Sequence, residues 1–570
     1  MSAARAVRII TEVAAVDRPF DYLVTEKTAH VAIGDRVRVD FNGRSVRGWV
    51  VDGAVASPEL KPLVKWLGYG PPATLLELLA WASERWYSPI SRFLVSSSPK
   101  RLITELPVAP VGRALAPAVL AGVTDVEPGV LEVAPTTDPL PLILSAYEMT
   151  REKEGSLLVL VPTESWAVRL RGRLEQRGCD VASGEDQWDR MRAGWPVVVG
   201  ARGTALSPVP RVCGAVIVDA DDDAYRSAGA PTWDAVTMVR ERCRRDAAPL
   251  WCTSSVPSPS LLNDGSYRSW GDVNGGWPRI TIADRRRSDP HDGVLARDAL
   301  DAARRALQGD DPIAVVVVLQ RLGDGRLWAC NRCGELARCG VCAQAEEERG
   351  GQLVCRDGHE PRANFCRSCG ATNLKRVRIG VTTLARDVAA QLAQRVTEVT
   401  ASTELDATLE RVVVGTEAVW QRVRRCGVVI FADFDQYLLA PRASARRSAI
   451  TAVGKAGRLV GARREGRGVV VLQTRRSEDS VIDALERANF DAIIDEDVKT
   501  ARLLELAPYG AEATVSGEGA EAFVEGLRDS NVSVHPVSSG FIVRSADVAT
   551  LTAALRAAPR PPAKVRVAVQ

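Results

Sequence analysis

Long hydrophobic runs are missing from this 570-residue chain. The longest, such as Ile313 to Leu319, fall far short of the ~20 apolar residues that cross a bilayer. Arg8 and Glu12 interrupt the first apolar stretch, so we expect no secretory signal and a cytoplasmic protein. Hydrophobic residues still make up 46% of the chain, enough for several domains with cores of their own.

Net charge is also small. Lys and Arg number 74 against 71 Asp and Glu, which leaves a net charge of +3. This balance neither demands nor excludes nucleic acid, because a basic face can lie within a balanced total. Histidine is scarce as well, with 4 in the chain, so a histidine at a ligand spacing stands out.

Cysteine, by contrast, is concentrated. Of 12 cysteines, 7 lie between Cys330 and Cys369, in three CxxC pairs plus Cys355, with His359 four residues after Cys355. A CxxC turn presents two thiolates to one ion, and zinc takes four sulfur or nitrogen ligands in a tetrahedron. Without a secretory signal, this pattern favours metal over disulfides. Seven Cys and one His are enough for two zinc ions.

The spacing predicts a nested arrangement of two closed, structural sites. The outer zinc would be held by Cys330, Cys333, Cys366 and Cys369, and the inner zinc by Cys339, Cys342, Cys355 and His359. Asp357 or a water could take the place of His359. The five remaining cysteines are expected to be buried free thiols: Cys179, Cys213, Cys243, Cys252 and Cys426.

Hydrophobic periodicity divides the chain into regions. Residues 1–105 read as short strands with an Asn42-Gly43 turn, followed by a helix that starts at Thr74 with Glu77 completing a capping box. Residues 106–129 read as a linker. Alternating strands and helices at 130–300, and at 301–328 with 375–498, predict two parallel sheets, the second interrupted by the cysteine module at 329–374. Residues 499–570 read as a small α+β domain.

Four short runs, in this order, resemble motifs of the PriA family of primosomal replication restart proteins. They are DRPFDY from Asp17 to Tyr22, VGARGTAL from Val199 to Leu206, TSSVPS from Thr253 to Ser258, and GKAGR from Gly454 to Arg458. A two-zinc module inserted into the second helicase lobe is also a family feature. The resemblance implies a multidomain α/β protein. It would have an N-terminal β-rich DNA-binding domain, two helicase-like (RecA-type) parallel-sheet lobes, the inserted zinc module and a small α+β C-terminal domain. The family's winged helix would be reduced or absent, since only the linker could contain it.

The resemblance also implies a pocket for the 3′ end of a DNA strand, formed by Phe20, Asp21, Gly43 and Lys61. An aromatic ring can stack on a terminal base, a carboxylate can accept from a 3′-hydroxyl, and a lysine can meet a phosphate. The alternative, equally weighted, is a strand whose Phe20 and Tyr22 face a core. The implied partners are forked or single-stranded DNA, primosome proteins, the replicative helicase and single-strand-binding protein, without a membrane.

The nucleotide site departs from the family. A P-loop needs glycines for backbone N–H donors, a lysine for the phosphates and a Ser or Thr for magnesium. The corresponding run from Val133 to Leu140 has neither glycine nor lysine, and it contains two prolines and Asp138. At the acidic motif, Asp219 and Asp221 flank Ala220, where a catalytic Glu would stand; a solvated acidic turn is the alternative. In the last motif Lys455 replaces an arginine and Arg458 remains.

We therefore predict a degenerate nucleotide site, no catalytic residue and doubtful ATP binding. The leading hypothesis is a protein that recognises stalled or abandoned forks and promotes reloading of the replicative helicase without helicase activity. A second is an active ATP-dependent 3′–5′ DNA helicase with a divergent nucleotide site. A third is a zinc protein whose module binds another protein, which would show no preference for forked DNA.

Overall fold

The structure is a computed structural model that describes residues 5–13, 18–120, 125–229, 231–263, 265–286, 293–320, 328–342, 345–355, 358–376, 380–404, 408–440, 443–527, 530–537 and 539–570. Asp17 of the N-terminal motif and Asp357 of the cysteine module lie outside these residues. The chain forms two compact units. Unit 1 comprises residues 1–131, 138–268 and 497–570, and unit 2 comprises residues 132–137 and 269–496.

The N-terminal domain is an antiparallel sheet with the order β2-β1-β4-β3-β5, followed by two helices. Its turn at Asn42 and Gly43 has φ values of 51° and 77°, as an Asn-Gly hairpin requires. One face of the sheet covers a small apolar core that includes Val37 and Tyr22. The elements are β1 Ala6–Thr11, β2 Phe20–Leu23, β3 Arg36–Phe41, β4 Arg44–Ala54, β5 Lys65–Gly68, α1 Ala73–Arg85 and α2 Ile90–Ser97.

The first α/β region has a seven-stranded sheet with the order β12-β6-β11-β10-β7-β9-β8. Its central strands β7, β9, β10 and β11 pair in parallel and are almost wholly buried. After the short helix α3 Pro117–Leu120, the elements are β6 Gly129–Glu132, α4 Leu140–Thr150, β7 Ser156–Leu160, α5 Glu164–Glu175, β8 Val181–Ala182, α6 Trp188–Ala193, β9 Val197–Gly200, β10 Val212–Ile217, α7 Ala235–Asp246, β11 Leu250–Ser254, α8 Pro259–Leu262 and β12 Tyr267–Ser269.

The second α/β region has a six-stranded, fully parallel sheet with the order β13-β23-β22-β14-β21-β20. Along the chain the cysteine module lies between β14 and α10, after which β20 and β21 belong to the same sheet as β14. The elements outside the module are β13 Arg279–Asp284, α9 Arg297–Leu307, β14 Val315–Val318, α10 Val381–Leu392, β20 Val396–Val399, β21 Val412–Gly415, α11 Val419–Arg422, β22 Val428–Phe431, α12 Asp435–Leu438, α13 Ala445–Val460, β23 Val469–Thr474, α14 Ser480–Arg487 and α15 Asp491–Leu503.

The cysteine module and the C-terminal domain are small and β-rich. The module contains β15 Trp328–Cys330, β16 Glu346–Arg349, β17 Gln352–Cys355, β18 Arg362–Ala363 and β19 Leu374–Arg376. The C-terminal domain is a four-stranded antiparallel sheet with two helices: β24 Ala511–Ser516, α16 Ala520–Glu525, β25 Ser533–Val537, β26 Gly540–Ser545, α17 Val548–Ala557 and β27 Arg566–Val569. The predicted mixed α/β fold class is thus confirmed. No helix in the described part of the chain is long and apolar enough to span a membrane.

The burial of the scattered cysteines and the start of helix α1 were both expected from the sequence, and one of the two expectations is wrong. The five scattered cysteines are all buried, as predicted, and burial raises the pKa of the Cys252 thiol to about 12. The capping box at Thr74 is wrong: helix α1 begins at Ala73, and the Thr74 hydroxyl donates to the carbonyl oxygen of Pro210 at 2.7 Å instead. The hydroxyl group that the sequence places at the start of the helix therefore hydrogen-bonds to a carbonyl far away along the chain.

Candidate functional site

The outer cysteine cluster consists of two matching knuckles. The sulfurs of Cys330 and Cys369 lie 3.5 Å apart, as do those of Cys333 and Cys366. These distances far exceed the ~2.05 Å of a disulfide and approach the ~3.8 Å edge of a ZnS4 tetrahedron. Gly334 and Gly370 each have a positive φ near 75° (75° and 73°) and close their knuckles by donating to the carbonyls of the first cysteines. Glycine is required at these turns because a Cβ disfavours that conformation.

The inner cluster brings together Cys339, Cys342, Cys355 and His359. The sulfurs of Cys342 and Cys355 are 3.4 Å apart, and His359 Nδ1 lies 3.4 Å from the Cys355 sulfur and 3.6 Å from that of Cys339. Backbone N–H groups, chiefly that of Cys342, lower the pKa of the Cys339 thiol to about 7, which favours the thiolate that a metal needs. In both clusters the ligand atoms lie within 4.8 Å of one another, so the module could hold two metal ions.

A buried ion pair lies within the cysteine module. Arg362 donates through Nε to both carboxylate oxygens of Glu346, at 3.0 and 2.8 Å, and through a terminal nitrogen to the carbonyl of Phe365 at 2.6 Å. The two side chains are only 12% and 3% exposed. This pair joins β16 to β18 across the three-stranded sheet that carries Cys355. No sequence pattern indicates this pair, because charged residues are frequent throughout the module.

The first part of the segment that corresponds to a P-loop, residues 133–137, is packed within unit 2. The Thr136 hydroxyl donates to the carbonyl of Gly276 at 2.6 Å. Gly276 has no room for a side chain, since an added Cβ would come within 2.4 Å of the Ala134 Cβ. The carbonyl of Pro135 accepts a hydrogen bond from Arg458 Nε at 2.9 Å. The run is therefore held by its own protein contacts.

Asp138 lies just before helix α4, whose N-cap residue is Pro139. Its carboxylate accepts from the N–H of Leu140, the first residue of α4, at 3.1 Å, and it receives two hydrogen bonds from Arg173, at 2.9 and 2.5 Å. Burial opposes ionisation of Asp138, but the hydrogen bonds from Arg173 and Leu140 outweigh it, so its pKa lies below the usual range. A carboxylate of the chain thus occupies the helix N-terminus, where a P-loop protein holds a phosphate.

The acidic motif is tied to the neighbouring loop. Asp221 accepts from the Ser254 hydroxyl at 2.8 Å and from the N–H of Ser258 at 3.0 Å, both within the TSSVPS run. Asp219 has a φ of +53°, and its N–H donates to the Thr253 hydroxyl at 3.0 Å. The alternative of a merely solvated acidic turn is therefore too simple, since the motif forms specific contacts with the next loop.

Lys455 and Arg458 lie on helix α13, whose small residues allow close packing. Gly454 faces Pro135, whose Cγ would lie 3.1 Å from an added Cβ, and Gly457 faces Pro278 in the same way at 2.9 Å. Arg458 is the remaining arginine of the last motif, and one of its contacts is the Pro135 carbonyl described above. Within unit 2, the last motif and the altered P-loop run are thus in direct contact.

The four residues of the predicted 3′-end pocket do not share one face of the sheet. Phe20 is half-buried and packs edge-on against Phe41, with ring centroids 5.0 Å apart. Asp21, its neighbour on β2, pairs with Arg8 at 3.2 Å. Because alternate residues of a strand face opposite sides, a ligand touching Phe20 and Asp21 together would have to lie at the end of the strand.

Gly43 and Lys61 converge on a residue that the sequence did not single out. The N–H of Gly43 donates to one oxygen of Asp40 at 2.9 Å, and Lys61 Nζ lies 3.3 Å from the other. The Tyr22 hydroxyl donates to the Asp40 carbonyl at 3.0 Å. A phosphate approaching Lys61 would therefore compete with Asp40. The position of Asp40 just before the Asn42-Gly43 turn could have indicated this role, since Asp before such turns often accepts from the backbone.

Comparison with known proteins gives a consistent result for the N-terminal domain and for the chain. The family model of the PriA 3′DNA-binding domain (3′BD) matches residues 8–99. The probable replication restart protein PriA of Mycobacterium bovis is 27% identical over 423 residues, which cover 64% of this chain and 62% of that protein. The replication restart protein PriA of Thermotoga maritima is 21% identical over 393 residues, which cover 63% and 52%. The chain spans about three fifths of the length of the first of these relatives.

The comparison with solved structures includes S. cerevisiae Dbp5 bound to RNA and ADP BeF3. It is 10% identical, with a TM-score of 0.37, and the match covers 68% of this chain and 98% of that one. Escherichia coli DEAH/RHA helicase HrpB is 14% identical, with a TM-score of 0.31, covering 64% of this chain and 42% of that one. Likeness of this degree adds nothing to the sheets described above.

Proposed function

Because this chain is a divergent relative of the replication restart protein PriA, we propose that it recognises stalled or abandoned DNA forks and promotes reloading of the replicative helicase without unwinding DNA itself. Its partners in this proposal are forked or single-stranded DNA, primosome proteins and single-strand-binding protein. The match of residues 8–99 to a 3′DNA-binding domain supports the DNA-binding part. The packing of the P-loop counterpart carries the proposal that no ATP is hydrolysed.

The chemistry of phosphoryl transfer explains why that packing matters. Enzymes of this class position the triphosphate and stabilise its charge, so backbone N–H donors, a lysine and magnesium supply nearly all the catalysis. Here Pro135 and Pro139 have no N–H to offer, and the N–H of Leu140 donates to Asp138. The charge that Asp138 contributes repels phosphate. Restoring the cradle would require both new donors and removal of this carboxylate.

Zinc is proposed for both clusters, one ion in each. Four sulfur ligands, or three sulfurs with one imidazole, match the ligand preference of zinc. Each set is complete with four protein ligands, so neither leaves an open position for a reacting water, and both ions would be structural. We assign Cys330, Cys333, Cys366 and Cys369 to one ion and Cys339, Cys342, Cys355 and His359 to the other. In the proposal the module stiffens a surface for partner proteins.

The 3′ end of a DNA strand would bind at the beginning of β2 and near the β3–β4 turn. In this proposal the Phe20 ring stacks on the last base, Asp21 accepts from the 3′-hydroxyl, and Lys61 meets phosphate near Gly43. Asp21 would have to leave Arg8, with which it pairs at 3.2 Å, or share it. The partial exposure of both side chains, 41% for Arg8 and 34% for Asp21, makes this exchange inexpensive.

One experiment tests both halves of the proposal on the full chain. Fluorescent forks with a free 3′-hydroxyl and matched forks ending in a 3′-phosphate are titrated with protein, and ATP turnover is measured on the same samples. We expect tighter binding to the free 3′-hydroxyl and no turnover above the protein-free background. Asp21→Asn should reduce the preference, whereas Asp52→Asn, which alters the other carboxylate near Arg8, should retain it. Equal binding of both forks by the wild type would contradict the 3′-end proposal.

An active ATP-dependent 3′–5′ helicase is the second candidate, favoured by a single observation. Asp219 remains in place directly after β10 and could still meet a magnesium ion. Fork-stimulated hydrolysis that is lost in Asp219→Asn would establish this candidate and overturn the proposal of inactivity. Hydrolysis that persists in Asp219→Asn would indicate a contaminating ATPase.

A further inference from the structure

Three basic side chains lie side by side across the N-terminal sheet. Arg38 of β3 is directly opposite Arg47 of β4 on one side and Lys65 of β5 on the other. Residues directly opposite in neighbouring strands point to the same face of the sheet. All three side chains are exposed, and Val37 and Val39, on either side of Arg38, are buried in the core on the other face. We call Arg38, Arg47 and Lys65 the basic row.

This row has an electrostatic cost that an ion pair offsets at Arg47. Like charges directly opposite in a sheet are destabilising. Within the described residues, Arg47 is the member with an acidic partner, Glu12, at 2.7 Å. Arg36, two residues before Arg38 on the same strand, adds a buried fourth cation: burial lowers its pKa, and the charge of Arg47 lowers it further. A stable domain gains nothing from such an arrangement, so a ligand of opposite charge is its natural explanation.

The position of the row suggests which ligand. Neighbouring strands are ~4.8 Å apart, so the three cations span about 10 Å across the sheet. Asp40, which contacts Gly43 and Lys61, is two residues further along β3, a distance of about 7 Å. A strand whose 3′ end reaches Gly43 and Lys61 would therefore pass near the basic row. Arg and Lys contacts to phosphate fix register and orientation without reading sequence, as fork recognition requires.

We propose that Arg38, Arg47 and Lys65 form a track for the phosphodiester backbone of DNA, leading to the 3′-end site. This inference rests on the proposed function, because it takes DNA as the ligand of the N-terminal domain. The track supplies salt-dependent affinity for the DNA backbone, and the 3′-end residues distinguish a 3′-hydroxyl from a 3′-phosphate. Glu12 restrains the track by pairing with Arg47, and a phosphate would displace it.

The test separates affinity from discrimination. The full chain and its Arg38→Gln/Lys65→Gln variant are titrated with forks ending in a 3′-hydroxyl or a 3′-phosphate over a series of salt concentrations. Each lost phosphate contact reduces the magnitude of the slope of log K, where K is the binding constant, against log salt concentration by ~0.7 for a single strand or ~0.9 for duplex. We expect the magnitude of this slope to be smaller in the double variant by about 1.4 to 1.8. The preference for a 3′-hydroxyl should be unchanged. Its unfolding midpoint should be unchanged or higher, because a like-charge contact has been removed.

Two controls make the result specific. Lys27→Gln removes an exposed cation of the same domain outside the basic row and should leave the slope unchanged. Asp21→Asn should reduce the 3′-hydroxyl preference and keep the slope. An unchanged slope in the double variant overturns the track, and it is also the result expected if the row binds an acidic protein instead. If the wild type binds no fork, the proposed function fails together with the track; if it binds with a 3′-hydroxyl preference, only the track is in question.

Discussion

The cysteine module and the P-loop counterpart are two ligand-binding patterns with opposite outcomes. In the module the ligand spacing is intact, and eight side chains gather into two groups whose ligand atoms lie within 4.8 Å of one another. In the run from Val133 to Leu140 that spacing is absent, and groups of the chain itself contact the run: Arg458 donates to the Pro135 carbonyl, and Asp138 accepts from the Leu140 N–H. These polar groups are paired within the protein, because unpaired polar groups in a packed region are costly.

We expect the largest effect from metal removal, which tests the cysteine module. Cys366→Ser should lower the zinc content from two ions per chain to one, and Cys342→Ser should do the same through the other cluster. Structural zinc sites contribute ~10–16 kcal/mol in small domains, so chelation should unfold the module. Elemental analysis measures the zinc, and limited proteolysis within 328–376 measures the unfolding. The matched control Cys179→Ser, at a buried cysteine outside the module, should leave both unchanged.

The next effect concerns the buried pair in the same module. Glu346→Gln leaves Arg362, only 12% exposed, without its carboxylate, and breaking a buried pair in this way costs ~3–5 kcal/mol. We expect faster proteolysis of the module with zinc still bound, measured as an unfolding rate by protease digestion. In Glu346→Gln/Arg362→Met, with both charges gone, much of the loss should be recovered. A double variant as unstable as the single one would show that packing, not charge, is responsible.

The packing of the P-loop counterpart can be tested by adding one methyl group. Gly276→Ala would place a Cβ within 2.4 Å of the Ala134 Cβ, so either the segment or the loop must move. Overpacking of this kind costs ~1–3 kcal/mol in the free energy of unfolding, measured by denaturant titration. Ala134→Gly in the same chain removes the opposing methyl, so the two changes together should cost less than their sum. Strict additivity would mean that the two residues do not touch.

The smallest effect is expected at Asp138, and it should depend on pH. Its folded-state pKa is lowered, so its stabilising contribution is present above the unfolded-state value of ~3.9 and is lost as pH falls through the folded-state value. Asp138 and Arg173 are 48% and 44% exposed, so solvent screening limits the pair to ~0–1 kcal/mol. Asp138→Asn should therefore be slightly less stable than the wild type at pH 7 and equal to it in acid. Arg173→Gln should show the same profile, and a difference that grows in acid would contradict this assignment.

Sequence periodicity was a reliable guide where a side chain's role depends on near neighbours. Buried valine runs predicted the parallel strands, and the Asn42-Gly43 pair predicted its hairpin turn, because both patterns follow from local backbone geometry. It failed at Thr74, whose hydroxyl donates to Pro210, 136 residues away. Tyr225, which follows the acidic motif, is 1% exposed and donates to the carbonyl of Val218, so it packs in the core.

By itself, the sequence predicted the two four-residue clusters of the cysteine module and showed that the run from Val133 to Leu140 lacks glycine and lysine. Thiolates at CxxC spacing need only a local turn to converge, and a P-loop without glycine or lysine has lost its donors in any fold. Only the tertiary structure decided which contacts the run from Val133 to Leu140 makes. The contacts of Asp138, Arg458 and Thr136, and the alignment of Arg38 with Lys65, join residues farther apart in the chain than a hairpin or a helical turn. Such contacts depend on strand register and helix packing, which spacing along the chain does not encode.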